Sequence, residues 1–367
     1  MKIIDIANIN TEKIETSVLT RNTYISTENM MSNCGGVEVA SSIPTGKVTS
    51  FCKDDTLISN IRPYFKKVWY ARYNGGCSND VICVRTKSDV CLPAYLYYAL
   101  CTDKFIDIFS ASSKGTKMPR GDKNALLSYD IPDRTITEQQ HIVDILGSID
   151  DSIENNEKTI EALEEKMILE YDHLITSTAL AESEMQEIFD ISIGKTPPRK
   201  ESHWFTENSE DVKWLSISDM GKAKVVVFDS SEKITAEGIE KYNVKIAPEN
   251  TVLLSFKLTI GKVAITGCEM ATNEAIAHFV SDDENIVEYL YCYLKRYNFD
   301  MLGNTSSIAT AVNSKTIKAM KFYYPDMETL ADFHRISEPL IKKIKHLLIT
   351  NAKLNELKQL YLKKFFG

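Results

Sequence analysis

The sequence predicts a protein of mixed α+β / α/β class built twice over. Two globular halves are separated by two long helices that form an antiparallel coiled coil, the whole being a pseudo-two-fold tandem duplication. Three observations predict it. Segments of the first half recur about 190 to 196 residues later; apolar residues recur every three or four positions through two long stretches; and charge is gathered into those same stretches. The expected organisation is a globular half over residues 1–137, a central helical region over 138–183, a second globular half over 184–326 and a C-terminal helical region over 327–367.

In the first half, Val48–Phe51, Thr56–Ser59, Val68–Ala71 and Val81–Arg85 read as short strands, broken by Asn60 and by Gly75-Gly76. Pro93 to Phe109 reads as one helix with an aromatic inner face. The second half repeats the pattern with Lys224–Phe228, Thr251–Ser255, Lys262–Thr266 and Ala275–Val280, then a helix near residues 285–298. Each half is expected to hold a curved sheet.

The central helix is predicted from Ile142, Ile145, Ile149, Ile153, Ile160, Leu163, Met167, Tyr171 and Leu174, with Asn156 in the one gap. Thr137, ahead of Glu138 and Gln140, is the expected N-cap. The C-terminal helix repeats the pattern as Phe333, Ile336, Leu340, Ile344, Leu347, Leu354, Leu357, Tyr361 and Phe365, with Asn351 in its gap. Each helix would be roughly 50 Å long at 1.5 Å per residue. An apolar stripe of that length needs another helix to cover it.

Charge suggests which one. Residues 138–185 hold 2 Lys+Arg against 13 Asp+Glu, whereas residues 327–367 hold 8 against 4. Copies of either helix repel each other and the two attract. The expected interface comprises Ile149, Ile153, Asn156, Ile160 and Leu163 on one helix and Leu340, Ile344, Leu347, Asn351 and Leu354 on the other. The paired Asn residues would fix the register at some cost in stability.

The duplication is legible residue by residue. Tyr24-Ile25-Ser26-Thr27-Glu28-Asn29-Met30 matches Trp214-Leu215-Ser216-Ile217-Ser218-Asp219-Met220, and Asp55–Ser59 matches Thr251–Ser255. Lys67-Val68 matches Lys262-Val263, Ser78-Asn79-Asp80 matches Thr272-Asn273-Glu274, and Tyr95–Tyr98 matches Tyr289–Cys292. Pro132 and Pro325 mark the two junctions from globular half to helix.

Composition excludes several function classes. The chain has 367 residues, 43% hydrophobic and 26% charged, as a soluble globular protein does. No run of 18 apolar residues is present, so no membrane span is expected, and MKIIDIANIN lacks the h-region of a secretory signal. Eight scattered cysteines form no CxxC pair or zinc spacing, so free thiols, no metal and a cytoplasmic setting are expected. The only Pro-Pro, Thr196-Pro197-Pro198-Arg199, lacks the flanks of an adenine methyltransferase motif. GxxxxGK[ST] is absent, and the six His residues form no triad-like group. No catalytic residue is expected.

The net charge of −8 seems to argue against nucleic acid. By segment, residues 1–137 hold 17 Lys+Arg against 14 Asp+Glu and residues 186–326 hold 16 against 20, so the acidity belongs mainly to the central helix. Two similar domains related by antiparallel helices match the local two-fold symmetry of duplex DNA. Such a layout would hold two diverged readers at two half-sites a set distance apart.

The sequence resembles the specificity subunit of type I restriction-modification systems over essentially its whole length. The carriers are Tyr24-Ile-Ser-Thr-Glu-Asn-Met30, Leu57-Ile-Ser-Asn-Ile-Arg-Pro-Tyr-Phe-Lys-Lys-Val-Trp-Tyr-Ala71 and Gly75-Gly-Cys-Ser-Asn-Asp-Val81. Thr137-Glu-Gln-Gln-His-Ile-Val143, running into Ile149-Asp-Asp-Ser-Ile153, completes them. The second half departs from the pattern, with Thr329-Leu-Ala-Asp-Phe333 where the first has its Glu-Gln-Gln helix start. The resemblance implies two target recognition domains and two conserved helical regions that read a bipartite, asymmetric double-stranded DNA target. It implies assembly with two methylation subunits, which carry S-adenosylmethionine, and with restriction subunits that use ATP. No cofactor would be bound by this chain. The competing expectation is a scaffold or anti-restriction mimic that binds methylation subunits without reading DNA.

Candidate DNA contacts follow from side-chain chemistry, since Lys and Arg meet phosphates and Arg, Lys, Asn and Gln meet base edges. They are Arg62, Lys66 and Lys67, interleaved with Tyr64 and Phe65; Asn79; and Lys114, Lys117 and Arg120 in the glycine-containing loop Ser113–Arg120. In the second half they are Lys195, Arg199 and Lys200 beside Pro197-Pro198, with Lys257, Lys262 and Asn273. The counterpart of the Ser113–Arg120 loop, Asn304–Asn313, is polar and uncharged.

Overall fold

The computed structural model describes residues 1–87, 90–115, 117–257, 259–303 and 312–367. The chain divides into two compact units, Met1–Glu154 with Ala352–Gly367, and Asn155–Asn351. The division cuts across both long helices, so each unit holds one globular half and a stretch of each helix.

In the first unit, Ala7–Ile9, Val81–Thr86, Thr56–Ser59 and Val68–Tyr70 form an antiparallel sheet in that spatial order. A second sheet runs Lys13–Glu15, Lys47–Phe51, Gly75–Cys77, Tyr24–Ile25, its last pair parallel. Two sheets therefore replace the single curved sheet expected. The reason lies between Phe51 and Thr56. Asp54 adopts left-handed backbone (φ +74°), and Asp55 accepts from the Cys52 amide (2.7 Å) and from Arg85 (2.7 and 2.8 Å). That turn sends the chain from one sheet to the other. The helix expected over Pro93–Phe109 is two, Pro93–Leu100 and Asp103–Ala111. Thr102, in extended backbone, breaks the run and caps the second by accepting from the Phe105 amide (3.3 Å). Tyr95, Phe105 and Phe109 fill the core with Ile82, Val84, Ile142 and Leu146, and Leu362 and Phe366 of the C-terminal helix join it.

The central helix spans Ile136–Ser177. Its cap is Thr135, not Thr137. Thr135 and Glu138 have the Thr-x-x-Glu spacing of a capping box, and each side chain meets the other's amide (2.8 and 3.3 Å). Gln140, the partner Thr137 would have needed, bonds Asp144 instead. Within the first unit, Lys358 Nζ lies 2.6 Å from Asp150, which also accepts from the Tyr98 hydroxyl at 3.0 Å.

The second unit repeats the plan. One sheet runs Asp190–Ile193, Ile276–Val280, Val252–Ser255, Val263–Thr266, Val226–Val227; another runs Phe205–Thr206, Glu232–Ile234, Val212–Leu215, Met270–Thr272, Ile246–Ala247. Registers coincide with those of the first unit. Ile58 faces both Val68 and Ile82, and its counterpart Leu254 faces both Val263 and Ala277. The parallel pair Ile25 with Cys77 corresponds to Leu215 with Thr272. Ser78 is therefore equivalent to Asn273 and Asn79 to Glu274, which corrects the match read from the sequence by one residue, because strand pairing sets the equivalence. The expected second-half helix is Val287–Arg296, preceded by a short turn over Glu284–Ile286.

The C-terminal helix, Met327–Phe366, is capped by Asp326, whose carboxylate accepts from the Thr329 amide (2.9 Å), a bond that holds its pKa below the usual carboxylate range. In the second unit the two helices run antiparallel. Asn156 donates to Asn351 at 2.7 Å, and the Tyr171 ring meets Phe333. Ile160, Met167, Ile341, Ile344 and Leu347 share a core with Phe279, Tyr289 and Phe322 of the globular half.

Two expectations about these helices are corrected. The C-terminal seam is offset from the predicted stripe by one residue at several turns. Ser337, Ile341, Lys358, Leu362 and Phe366 are buried, while Ile336 and Leu357 are exposed. Ser337 hides as a seam residue because its hydroxyl is satisfied by the Phe333 carbonyl (2.7 Å). The acidic face of the central helix in this unit is also not held mainly by the basic helix. Glu161 meets Lys224, Glu164 meets Lys295 and Asp172 meets Arg296, all three cations belonging to the globular half.

Candidate nucleic-acid interface

In the first unit the chain between Thr56–Ser59 and Val68–Tyr70 forms a tight turn over Pro63–Phe65. Arg62 and Lys66, on either side, both adopt left-handed backbone (φ +49° and +52°). The loop after the aromatic helices lies on this turn. The Arg62 amide donates to Pro119 (2.8 Å), the Gly121 amide donates to Asn60 (3.1 Å), and Ile61 bridges to Arg120. Lys114 and Arg120 exchange both backbone bonds at 3.0 Å, with Gly115 at φ +102° between them. Gly121 cannot carry a Cβ, which would overlap the Phe109 ring. The fold thus brings Arg62 against the backbone of the loop that carries Lys114, Lys117 and Arg120, although it is distant in sequence, and Lys114 is itself paired with Asp122 (3.7 Å). Thr116 in this loop lies outside the described residues.

The remaining candidates of the first half divide. Lys66 turns inward, buried, with Nζ 2.7 Å from Asp103. Lys67 is half-buried and donates to the Thr27 carbonyl (2.6 Å), and burial lowers its pKa. Asn79 is exposed and accepts from Lys13 (3.0 Å). Arg120 remains half exposed while paired with Asp80 at 2.8 Å. Trp69 belongs to the core, whereas Tyr64 and Phe65 stand out in solvent with ring centroids 4.8 Å apart.

In the second unit, Lys195 and Lys200 are exposed. Arg199 is held twice: its guanidinium forms a bidentate pair with Glu232 (2.7 and 2.9 Å) and lies over the Phe205 and Trp214 rings at 4.0 and 4.6 Å. Asn273 is a turn residue. Its side chain donates to Thr196 (3.2 Å) and accepts from the Ala275 amide (2.9 Å). Lys257 and Lys262 are exposed at the turn between Val252–Ser255 and Val263–Thr266, with Lys257 Nζ 3.5 Å from the Glu274 carbonyl. Residues 304–311 of the polar counterpart loop lie outside the described residues. Asn313 caps the short helix that follows, accepting from the Lys315 and Thr316 amides.

Sequence reasoning missed Ile260, an exposed apolar residue on that second turn. The signal was available: an isoleucine directly before a glycine, Gly261, that adopts φ +87°. Among the described residues no group of three or more His, Cys, Asp or Glu side chains could hold a metal ion. No described helix is long and apolar enough to cross a membrane. The arrangement offers clustered cations, amides and aromatic faces: means of holding a polyanion and touching bases.

Comparison with known proteins agrees with that chemistry. The family described as "Type I restriction modification DNA specificity domain" matches residues 1–165 and again residues 180–359. The type I restriction enzyme HindI specificity subunit of Haemophilus influenzae is 23% identical over 401 residues, covering 86% of each chain. The MjaIX specificity subunit of Methanocaldococcus jannaschii is 26% identical over 151 residues, 39% of this chain and 34% of that one. Among solved structures, the type I restriction-modification system S subunit from M. genitalium matches the fold with a TM-score of 0.59 at 18% identity. The match covers 100% of this chain and 95% of the other.

Proposed function

The chain belongs to the type I restriction-modification DNA specificity family, and from that premise we propose that it reads a bipartite, asymmetric double-stranded DNA target, one half-site for each globular half. It is the DNA-specificity subunit of such a system rather than a catalytic one. The observation that carries the bipartite reading is the duplication itself. Both halves keep the same strand pairing around the same turn, yet the side chains on that turn differ. Diverged copies of one reader recognise different sequences.

In this reading Arg62, Lys114, Lys117 and Arg120 hold the first half-site, and Lys195, Lys200, Lys257 and Lys262 hold the second. Lys66 and Arg199 act behind them, keeping turns in place. Two methylation subunits dock on the helical regions and supply S-adenosylmethionine and the methyl transfer to adenine. Restriction subunits supply ATP-driven translocation and cutting. No cofactor is bound by this chain, and the complex works in the cytoplasm. Long-read methylation sequencing of the host tests the reading. Deleting the gene is expected to erase N6-methyladenine from one two-part motif with an unread spacer, and an unchanged methylome would contradict it.

A further inference from the structure

The two halves share a feature that neither core packing nor charge explains. At the turn between Thr56–Ser59 and Val68–Tyr70, Tyr64 is 55% exposed and Phe65 40%. At the matching turn between Val252–Ser255 and Val263–Thr266, Ile260 is 44% exposed. The register match between Ile58–Val68 and Leu254–Val263 makes these the same place in the fold. A single exposed apolar side chain is unremarkable. An apolar tip retained at one topological position in two copies that otherwise diverged is not accounted for by chance exposure.

Each tip is also braced from behind. The amides of Asn33 and Cys34 donate to the carbonyls of Phe65 and Lys66 at 3.0 and 2.8 Å. In the second half a Cβ on Gly261 would stand 3.0 Å from the Phe299 ring, so the chain there is held tight against an aromatic. Cations flank both tips along the chain: Arg62 just before the first, and Lys257 and Lys262 on either side of the second. A braced apolar tip flanked by cations complements a duplex, whose phosphates flank stacked apolar bases.

Resting on the reading of this chain as the sequence reader, we propose that Tyr64-Phe65 and Ile260 are specificity-determining residues that make apolar contact with bases, each in its own half-site. The cations hold the backbone and carry no sequence information. The tips supply it through contact with thymine methyl groups or a deformable base step.

The test uses the full chain in its host, with motif degeneracy read by methylome sequencing. Y64A/F65A is expected to relax base choice at one or two positions in one half of the motif and leave the other half unchanged. I260S is expected to do the same in the opposite half. The expected loss of discrimination is about tenfold at the contacted base pair. Val18→Ser, at a still more exposed apolar residue outside the turn, is expected to leave the motif intact. Tip variants that methylate the original motif without relaxation would overturn the proposal, as would relaxation of the same half by both. A tip variant with a lowered thermal unfolding midpoint would also overturn it, by making the tip a structural element. Failure of the underlying reading is distinguishable, because deletion of the gene would then leave the methylome untouched.

Discussion

Lys66 and Arg62 flank one turn and have different roles. Lys66 is buried against Asp103, so Lys66→Ala is expected to loosen the turn and cost stability, whereas Arg62→Ala is expected to leave folding intact. In the assembled complex Arg62→Ala and Lys117→Ala should weaken DNA binding uniformly across sequences. Each should reduce the slope of log K against log salt by about 0.9 for every phosphate that is no longer neutralised. A variant that altered base choice instead would mean the residue reads sequence. His278 makes a second prediction. It is wholly buried between Ser192 (3.1 Å) and Thr272 (2.6 Å), and burial pushes its pKa down to about 4. The unfolded chain binds a proton near pH 6.5 that the folded chain refuses until about pH 4. Stability is therefore lost as pH falls through that window, by on the order of 3 kcal/mol. Urea unfolding at pH 7 and pH 4.5 should show a shallower pH dependence in His278→Gln than in the parent; equal slopes would contradict it. Residue types made Arg62, Lys114, Lys117 and Arg120 legible as candidates in the sequence. Their convergence was not, because it depends on a loop meeting a turn some sixty residues earlier in the chain. Nor could sequence show that Lys66 and Arg199 spend their charge on Asp103 and Glu232.

At the scale of elements, the helices show what periodicity can and cannot deliver. Their existence and antiparallel pairing follow from the three-and-four spacing, since a long apolar stripe must be covered. The seam itself was misplaced by one residue at several turns of the C-terminal helix, twice where a satisfied polar residue occupies it: Ser337 bonded to Phe333, Lys358 bonded to Asp150. Opposite net charge suggested the right pairing for an incomplete reason, because Lys224, Lys295 and Arg296 of the globular half take up much of the acidic face. Burial alone would pull the Lys358 ammonium down, but Asp150 beside it leaves its pKa raised. Asp150→Ala is expected to cost about 3–5 kcal/mol by stranding a buried cation, and Asp150→Leu with Lys358→Met much less. Thermal unfolding of the single and double variants checks this, and equal losses would contradict it. The Asn156–Asn351 pair should behave likewise. Replacing both by Leu is expected to raise the unfolding midpoint while blurring helix register, detected as new crosslinks between cysteines placed one turn out of phase. A lowered midpoint would mean the pair contributes net stability.

The whole molecule is a duplicated reader, and duplication was its most legible property: most matched segments in sequence become matched strand registers in the fold, Ser78–Asp80 being off by one residue. Missed at this scale were the second sheet in each half and the break in the aromatic helix. In the first half both are set by single turns, at Cys52–Asp55 and at Thr102, whose local hydrogen bonds override strand and helix propensity. Net charge misled until it was resolved by segment, because one helix carries most of it. The central claim is that each globular half specifies its own half of a two-part DNA site. It is tested most directly by exchanging residues 1–137 for the corresponding half of a related specificity subunit of known target and sequencing the methylome. A hybrid motif is expected, with one half changed to that of the donor and the other retained. A motif altered in both halves, or in neither while methylation persists, would contradict it.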